Sequence, residues 1–119
     1  MISQGVTPVA NGTIPKPSPT VFDLIPNSSL SRSGGQGTYD NGVVTFMLSV
    51  SNGANMSQST VLGTIPEGYR PSTQKSVNCF IFTDTSRTAG LATVDTNGQI
   101  KQTETGYGRF GLIFGMYTV

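Results

Sequence analysis

A chain of 119 residues with a net charge of +1 suits a single domain, and its seven scattered cations exclude the clustered basic surface that nucleic acid demands. Charged residues make up only 11% and hydrophobic residues 35%, which excludes charge-driven disorder. The rest is rich in Ser, Thr, Asn, Gln, Gly and Pro, the composition of a turn-rich β-protein.

The N-terminal stretch holds Pro8, Pro15, Pro17 and Pro19. Proline fixes φ and removes the amide donor, so Ile14 to Pro19 is expected to be extended and semi-rigid. Residues 1–20 read as a neck or linker joining the folded unit to something upstream, and residues 21–119 as the folded unit. The N-terminus lacks the basic-then-apolar layout of a signal peptide, and no run approaches the ~20 apolar residues of a membrane span, so no membrane insertion is expected.

From Thr20 onward the pattern is strands. Thr20 to Ile25 is the first, stopped by Pro26-Asn27, and Ser31 to Gly37 reads as a glycine-serine loop. In Gly42 to Val50 the residues Val44, Phe46, Leu48 and Val50 share one face at period two, and Thr45, Met47 and Ser49 the other. Asn41-Gly42 and Asn52-Gly53 read as turns at its two ends. A strand over about Ser59 to Ile65 stops at Pro66, beyond which Pro66 to Pro71 forms a rigid turn. Ser76 to Thr83 is apolar on both faces and is expected to be central. It contains Cys79, the only cysteine, which can form no internal disulfide and reads as a small core residue of a protein made in a reducing cytoplasm.

Gly90 to Asp95 and Gln99 to Thr103 flank Asn97-Gly98, which suits a two-residue loop with positive φ at both positions. In the last strand, Phe110 to Val119, the residues Phe110, Leu112, Phe114 and Met116 face one way. Gly111, Ile113, Gly115 and Tyr117 face the other, the glycines admitting close neighbours. A strand apolar on both faces suits a subunit interface, and ordinary sandwich packing is the other reading. About seven short strands and no helical period indicate an all-β antiparallel barrel or sandwich.

Catalytic chemistry is poorly served. There is no histidine, which removes His-based triads and nearly all zinc sites. A pair of acids such as Asp84 and Asp95 could serve a glycosidase only across a cleft, and acids in turns usually cap or solvate the turn. Gly34-Gly35-Gln36-Gly37 lacks the Lys and following helix of a phosphate loop. No cofactor or metal is expected. Binding is better supported. Tyr107 and Arg109 place a ring and a cation in a glycine-flanked loop, a pattern that suits a saccharide, and Asp84 to Arg87 is a polar loop open to ligand.

Tyr39 to Thr45, Leu62 to Pro71 with its Ile65-Pro66-Glu67-Gly68-Tyr69-Arg70-Pro71 element, Asp95 to Ile100 and the aromatic-glycine last strand together resemble the C-terminal head of tailed-phage receptor-binding proteins. The likeness is to tail-fibre and baseplate proteins of phages of lactic-acid and other Gram-positive bacteria, and covers about residues 38–119. It implies a compact β-barrel head forming a homotrimeric knob, joined to upstream shaft or baseplate proteins. Such a head is made in the host cytoplasm, carried on the virion tail, and binds host cell-wall polysaccharide without enzymatic activity.

In lactococcal heads of this kind the strands around the Asn-Gly turn carry His, Asp and Trp ligands. Here the matching positions are Leu91, Thr93, Gln102 and Thr103. The stacking ring is missing, so either Thr93, Gln102 and other polar groups hold the sugar or the site has moved toward Tyr107 and Arg109. A structural trimerisation knob and a monomeric carbohydrate-binding module are the alternatives, and a glycan-degrading tailspike is the least favoured.

Overall fold

The structure, a computed structural model, describes residues 19–56, 60–82, 87–102 and 108–119. Its strands are β1 Thr20–Asp23, β2 Ile25–Pro26, β3 Arg32–Asp40, β4 Val43–Met56, β5 Val61–Thr64, β6 Lys75–Phe82, β7 Arg87–Val94, β8 Gln99–Gln102 and β9 Gly108–Thr118. They form a single antiparallel sheet in the order β1-β3-β4-β9-β6-β7-β8-β5-β2. The all-β expectation holds, with nine strands among the described residues in place of about seven.

Strands β1 and β2 are successive pieces of one stretch, parted by Leu24, yet β1 pairs with β3 and β2 with β5 at the other end of the order. The stretch therefore draws the two sheet edges together into a nearly closed barrel, which removes the hazard of unpaired edges. Side chains bridge what the ladders leave open. Ser33 Oγ donates to the Leu62 carbonyl at 2.6 Å, and Asn27 Nδ2 to the Val61 carbonyl at 2.6 Å.

Period two decides what fills the barrel. Val44, Phe46, Leu48 and Val50 of β4 are all buried, and Thr45, Met47 and Ser49 between them are exposed, as the alternation requires. Phe22, Leu24, Met56, Leu62, Ile65, Val77, Cys79, Ala92, Val94, Ile100, Ile113 and Tyr117 complete the described interior. Strand β6 lies between β9 and β7, as expected of a central strand. On β9 the glycine row faces inward, where Gly115 lies against Val77, and Val119 beyond it is half exposed.

Three expectations are corrected. Ser31 to Gly37 is not a loop, because β3 pairs along its whole length with β4, from Arg32↔Ser51 to Asp40↔Val43. The glycines serve packing, since a Cβ at Gly37 would collide with the ring of Phe22. Asn52-Gly53 does not end its strand, because β4 runs on to Met56 through a register shift against β9. The loop with positive φ at both positions is Asn41-Gly42, at 51° and 85°, and not Asn97-Gly98. At Asp95 to Gln99 a turn closed by Gly98 N donating to the Asp95 carbonyl at 2.8 Å precedes a single positive φ of 86° at Gly98.

The Pro66 to Pro71 turn caps one end of the barrel. Gly68 has φ 102°, and Tyr69 N donates to the Pro66 carbonyl at 3.3 Å. The Tyr69 ring stacks on Phe22, centroids 4.2 Å apart and 6° from parallel, with Tyr39 tilted against it. Tyr117 reaches up from the barrel interior to donate its hydroxyl to the Tyr69 carbonyl at 2.5 Å. Tyr69 is thus a structural plug.

Burial pushes the Cys79 thiol from its ordinary 9.0 up to about 11, and the Tyr117 hydroxyl from 10.0 up to about 12. In both, the folded state keeps its proton after the unfolded chain has lost it. Stability is therefore full below pH 9 and falls as pH rises from 9 toward 12, by up to ~1.4 kcal/mol per pH unit for each group. Urea midpoints at pH 8, 10 and 11 should show this fall, and Cys79→Ala should flatten its earlier part. Midpoints independent of pH in the parent chain would overturn the assignment.

Candidate functional site

The barrel has a capped end, built from Tyr69, Gly98 and Tyr117, and an opposite end where β6 finishes and β7 and β9 begin. Phe82 pairs with both Arg87 and Phe110, so the starts of β7 and β9 sit beside the end of β6. Arg87 and Arg109 therefore share the opposite end. Arg109 is half-buried, its guanidinium 5.9 Å from the centroid of the Phe110 ring. Tyr107, Asp84 and Thr103 lie outside the described residues.

The other two candidates are elsewhere. Thr93 is half-buried on the outer face of β7, paired with Ser76 and Lys101. Gln102 is turned into the barrel and buried, and its Nε2 donates to the Met56 carbonyl at 3.1 Å. That bond ties β8 to the end of β4, and a saccharide chain does not reach it. The positions around the Asn97-Gly98 hairpin are thus split between wall and interior. Asp95, weighed with Asp84 as an acid pair, is held at the hairpin base by Gln74 at 2.7 Å and Lys101 at 3.4 Å.

Two features of the outer wall stand out. The first is apolar. Phe110, Met116, Met47 and Leu91 are exposed, and Phe80 and Phe114 stack with centroids 5.7 Å apart. Register sets Met47 beside Phe114, and Leu112 beside Phe80, so these side chains form one face across β4, β9, β6 and β7. A contiguous exposed apolar face of this kind marks an interaction surface.

The second is a groove over β3. Two adjoining recesses of about 440 and 380 Å³ share Thr38 and Thr45. One extends to Pro19, Asp40 and Asn41 at the hairpin, the other to Val21, Gln36 and Met47. Sequence reading missed it because β3 read as a loop. A usable signal was present: a two-residue Asn41-Gly42 turn forces Thr38 opposite Thr45 and Gln36 opposite Met47, which is the register found.

No family model matches the chain, and no curated protein matches it. Among solved structures, one reported under the question of a common fold for the receptor-binding domains of lactococcal phages is similar. It is the head domain of phage bIL170, at a TM-score of 0.61 and 16% identity, covering 86% of this chain and 99% of that one. The fold is that of a lactococcal phage head domain. At this identity the likeness rests on topology, and the side chains that contact any ligand are this chain's own. Its coverage of almost the whole bIL170 head agrees with the all-β head expected from the Pro66 to Pro71 and Asn97-Gly98 elements.

Proposed function

We propose that this chain is the head with which a tailed phage recognises its host, and that it binds cell-wall saccharide without cleaving it. The observation that carries the reading is the shared fold, which spans 99% of the bIL170 head domain. In this reading the head is made in the host cytoplasm and carried on the virion at the tail tip or baseplate. Residues 1–20 then join it to a shaft.

The head works as a homotrimer. The exposed apolar face on β4, β9, β6 and β7 supports this, because burying it between copies removes from water the side chains the barrel leaves outside. Three weak sites on one rigid knob also gain avidity on a repeating polymer.

The test is binding of the fluorescently labelled protein to a panel of Gram-positive strains, competed with their extracted wall polysaccharides. Binding restricted to some strains and abolished by one polysaccharide is the expected result. No binding to any strain by a folded, trimeric sample would favour a structural knob, and a monomeric mass with sugar binding would favour a carbohydrate-binding module.

A further inference from the structure

We propose that the outer groove over β3 is the binding site for a neutral, hydroxyl-rich segment of wall saccharide. This rests on the reading that the chain recognises wall saccharide, and adds where it does so and which charge class it accepts.

The groove is built from both halves of the β3–β4 hairpin, so its shape is held by a continuous ladder of paired residues. Thr38 and Thr45 stand opposite one another with their hydroxyl oxygens 2.6 Å apart. One hydroxyl proton is spent in that pair. The second proton and the remaining lone pairs stay available, so the pair can both donate to and accept from a sugar hydroxyl. Gln36 is steadied by donating Nε2 to Asp23 at 3.2 Å, which leaves its carbonyl oxygen as an acceptor. Asp40 and Asn41 add acceptors and an amide donor at the hairpin end.

Val21 and Met47 supply apolar walls, 60% and 56% exposed, suited to the C–H faces of a pyranose. The mixture of close-set donors, acceptors and apolar wall fits a polyol better than it fits a peptide strand, since from Gln36 to Tyr39 β3 is already paired with a strand on each side.

Charge narrows the ligand. Neither recess is lined by a Lys or Arg among the described residues, and Asp40 lines one of them. A phosphate-bearing polymer would meet a carboxylate and no cation there, and so would gain no charge-assisted bond from the groove. A neutral saccharide needs no such bond.

The test measures binding of the full chain, by calorimetry, to two probes extracted from each strain of the panel: neutral wall polysaccharide and lipoteichoic acid. The parent protein is compared with T38V/T45V, which keeps side-chain shape and strand preference but removes both hydroxyls, and with T38R, which fills the groove. The parent should bind the neutral polymer and not lipoteichoic acid. T38V/T45V should lose about tenfold in affinity, and T38R should lose measurable binding, both with thermal midpoint and oligomeric mass unchanged.

Parental affinity in both variants would overturn the groove and leave saccharide recognition standing. Binding to lipoteichoic acid in place of the neutral polymer would overturn the neutral ligand. No binding of either probe by the folded parent protein would overturn both readings together. A fall in oligomeric mass on T38R would assign the groove to a subunit contact and overturn it as a saccharide site.

Discussion

Replacing Gly98 with alanine is expected to destabilise the domain by about 3 kcal/mol and to lower its thermal midpoint by roughly 10 °C. Two effects combine at this position. Gly98 sits at φ 86°, where a Cβ costs about 1–2 kcal/mol in strain. The same Cβ would also collide with the Ile65 carbonyl oxygen and stand 2.7 Å from Arg70 Nε. Those atoms form the lock between the hairpin and the cap: Ile65 N donates to the Gly98 carbonyl at 2.8 Å, and Arg70 Nε donates to the Ile65 carbonyl at 2.8 Å.

Pushing them apart releases the Pro66 to Pro71 turn, and with it the Tyr69 ring from Phe22. Gly68→Ala is the control, because φ is 102° there but no atom stands within 4 Å of the added Cβ. It should cost the strain alone, about half as much. Urea unfolding of both variants decides the matter. Equal losses would show that the cap and hairpin are not interlocked through Gly98.

Met116→Glu is expected to turn the proposed trimer into a monomer of about 12.5 kDa by light scattering, with the barrel intact. Met116 is, among the described residues, the most exposed of the large hydrophobic side chains, at 69%, and points away from the core, so the change leaves folding contacts untouched. In a trimer the face would bury the carboxylate once per subunit. An unpaired buried charge costs several kcal/mol each time.

Met47→Glu, on the same face beside Phe114, should act the same way. Met116→Glu should lose most of its apparent affinity for cells while keeping affinity for a short saccharide, since what disappears is avidity and not the single site. Met47 also walls the groove over β3, so Met47→Glu is read by oligomeric mass and not by cell binding. The thermal midpoints of both variants should also cease to depend on protein concentration. A parent chain that is already monomeric at micromolar concentration would sink the trimer, and an unchanged trimer in both variants would move the interface off this face.

Several parts of this protein were decided by the sequence alone. The alternation Val44, Phe46, Leu48, Val50 assigned the core face of β4, because a pleated strand sends successive side chains to opposite sides whatever its partner. Phe110, Leu112, Phe114 and Met116 were readable as one row for the same reason, and the structure turned that row outward. Pro66, Gly68 and Pro71 announced a turn through their backbone restrictions.

What the sequence did not decide depended on partners distant along the chain. Strand β3 has almost no apolar content of its own, so nothing local marks it as a strand. It is one because β1 and β4 supply the hydrogen bonds on either side and Phe22 needs the space above Gly37. Gln102 and Thr93 are both polar residues flanking one hairpin. Only the closure of the sheet sends the first into the barrel and leaves the second on its wall. The groove over β3 is of this kind only in part: the local Asn41-Gly42 turn sets Thr38 against Thr45 and Gln36 against Met47, but Val21 reaches its edge because β1 pairs with β3. A ligand surface on a barrel is a property of neighbouring strands, and strand neighbours are chosen by the tertiary structure.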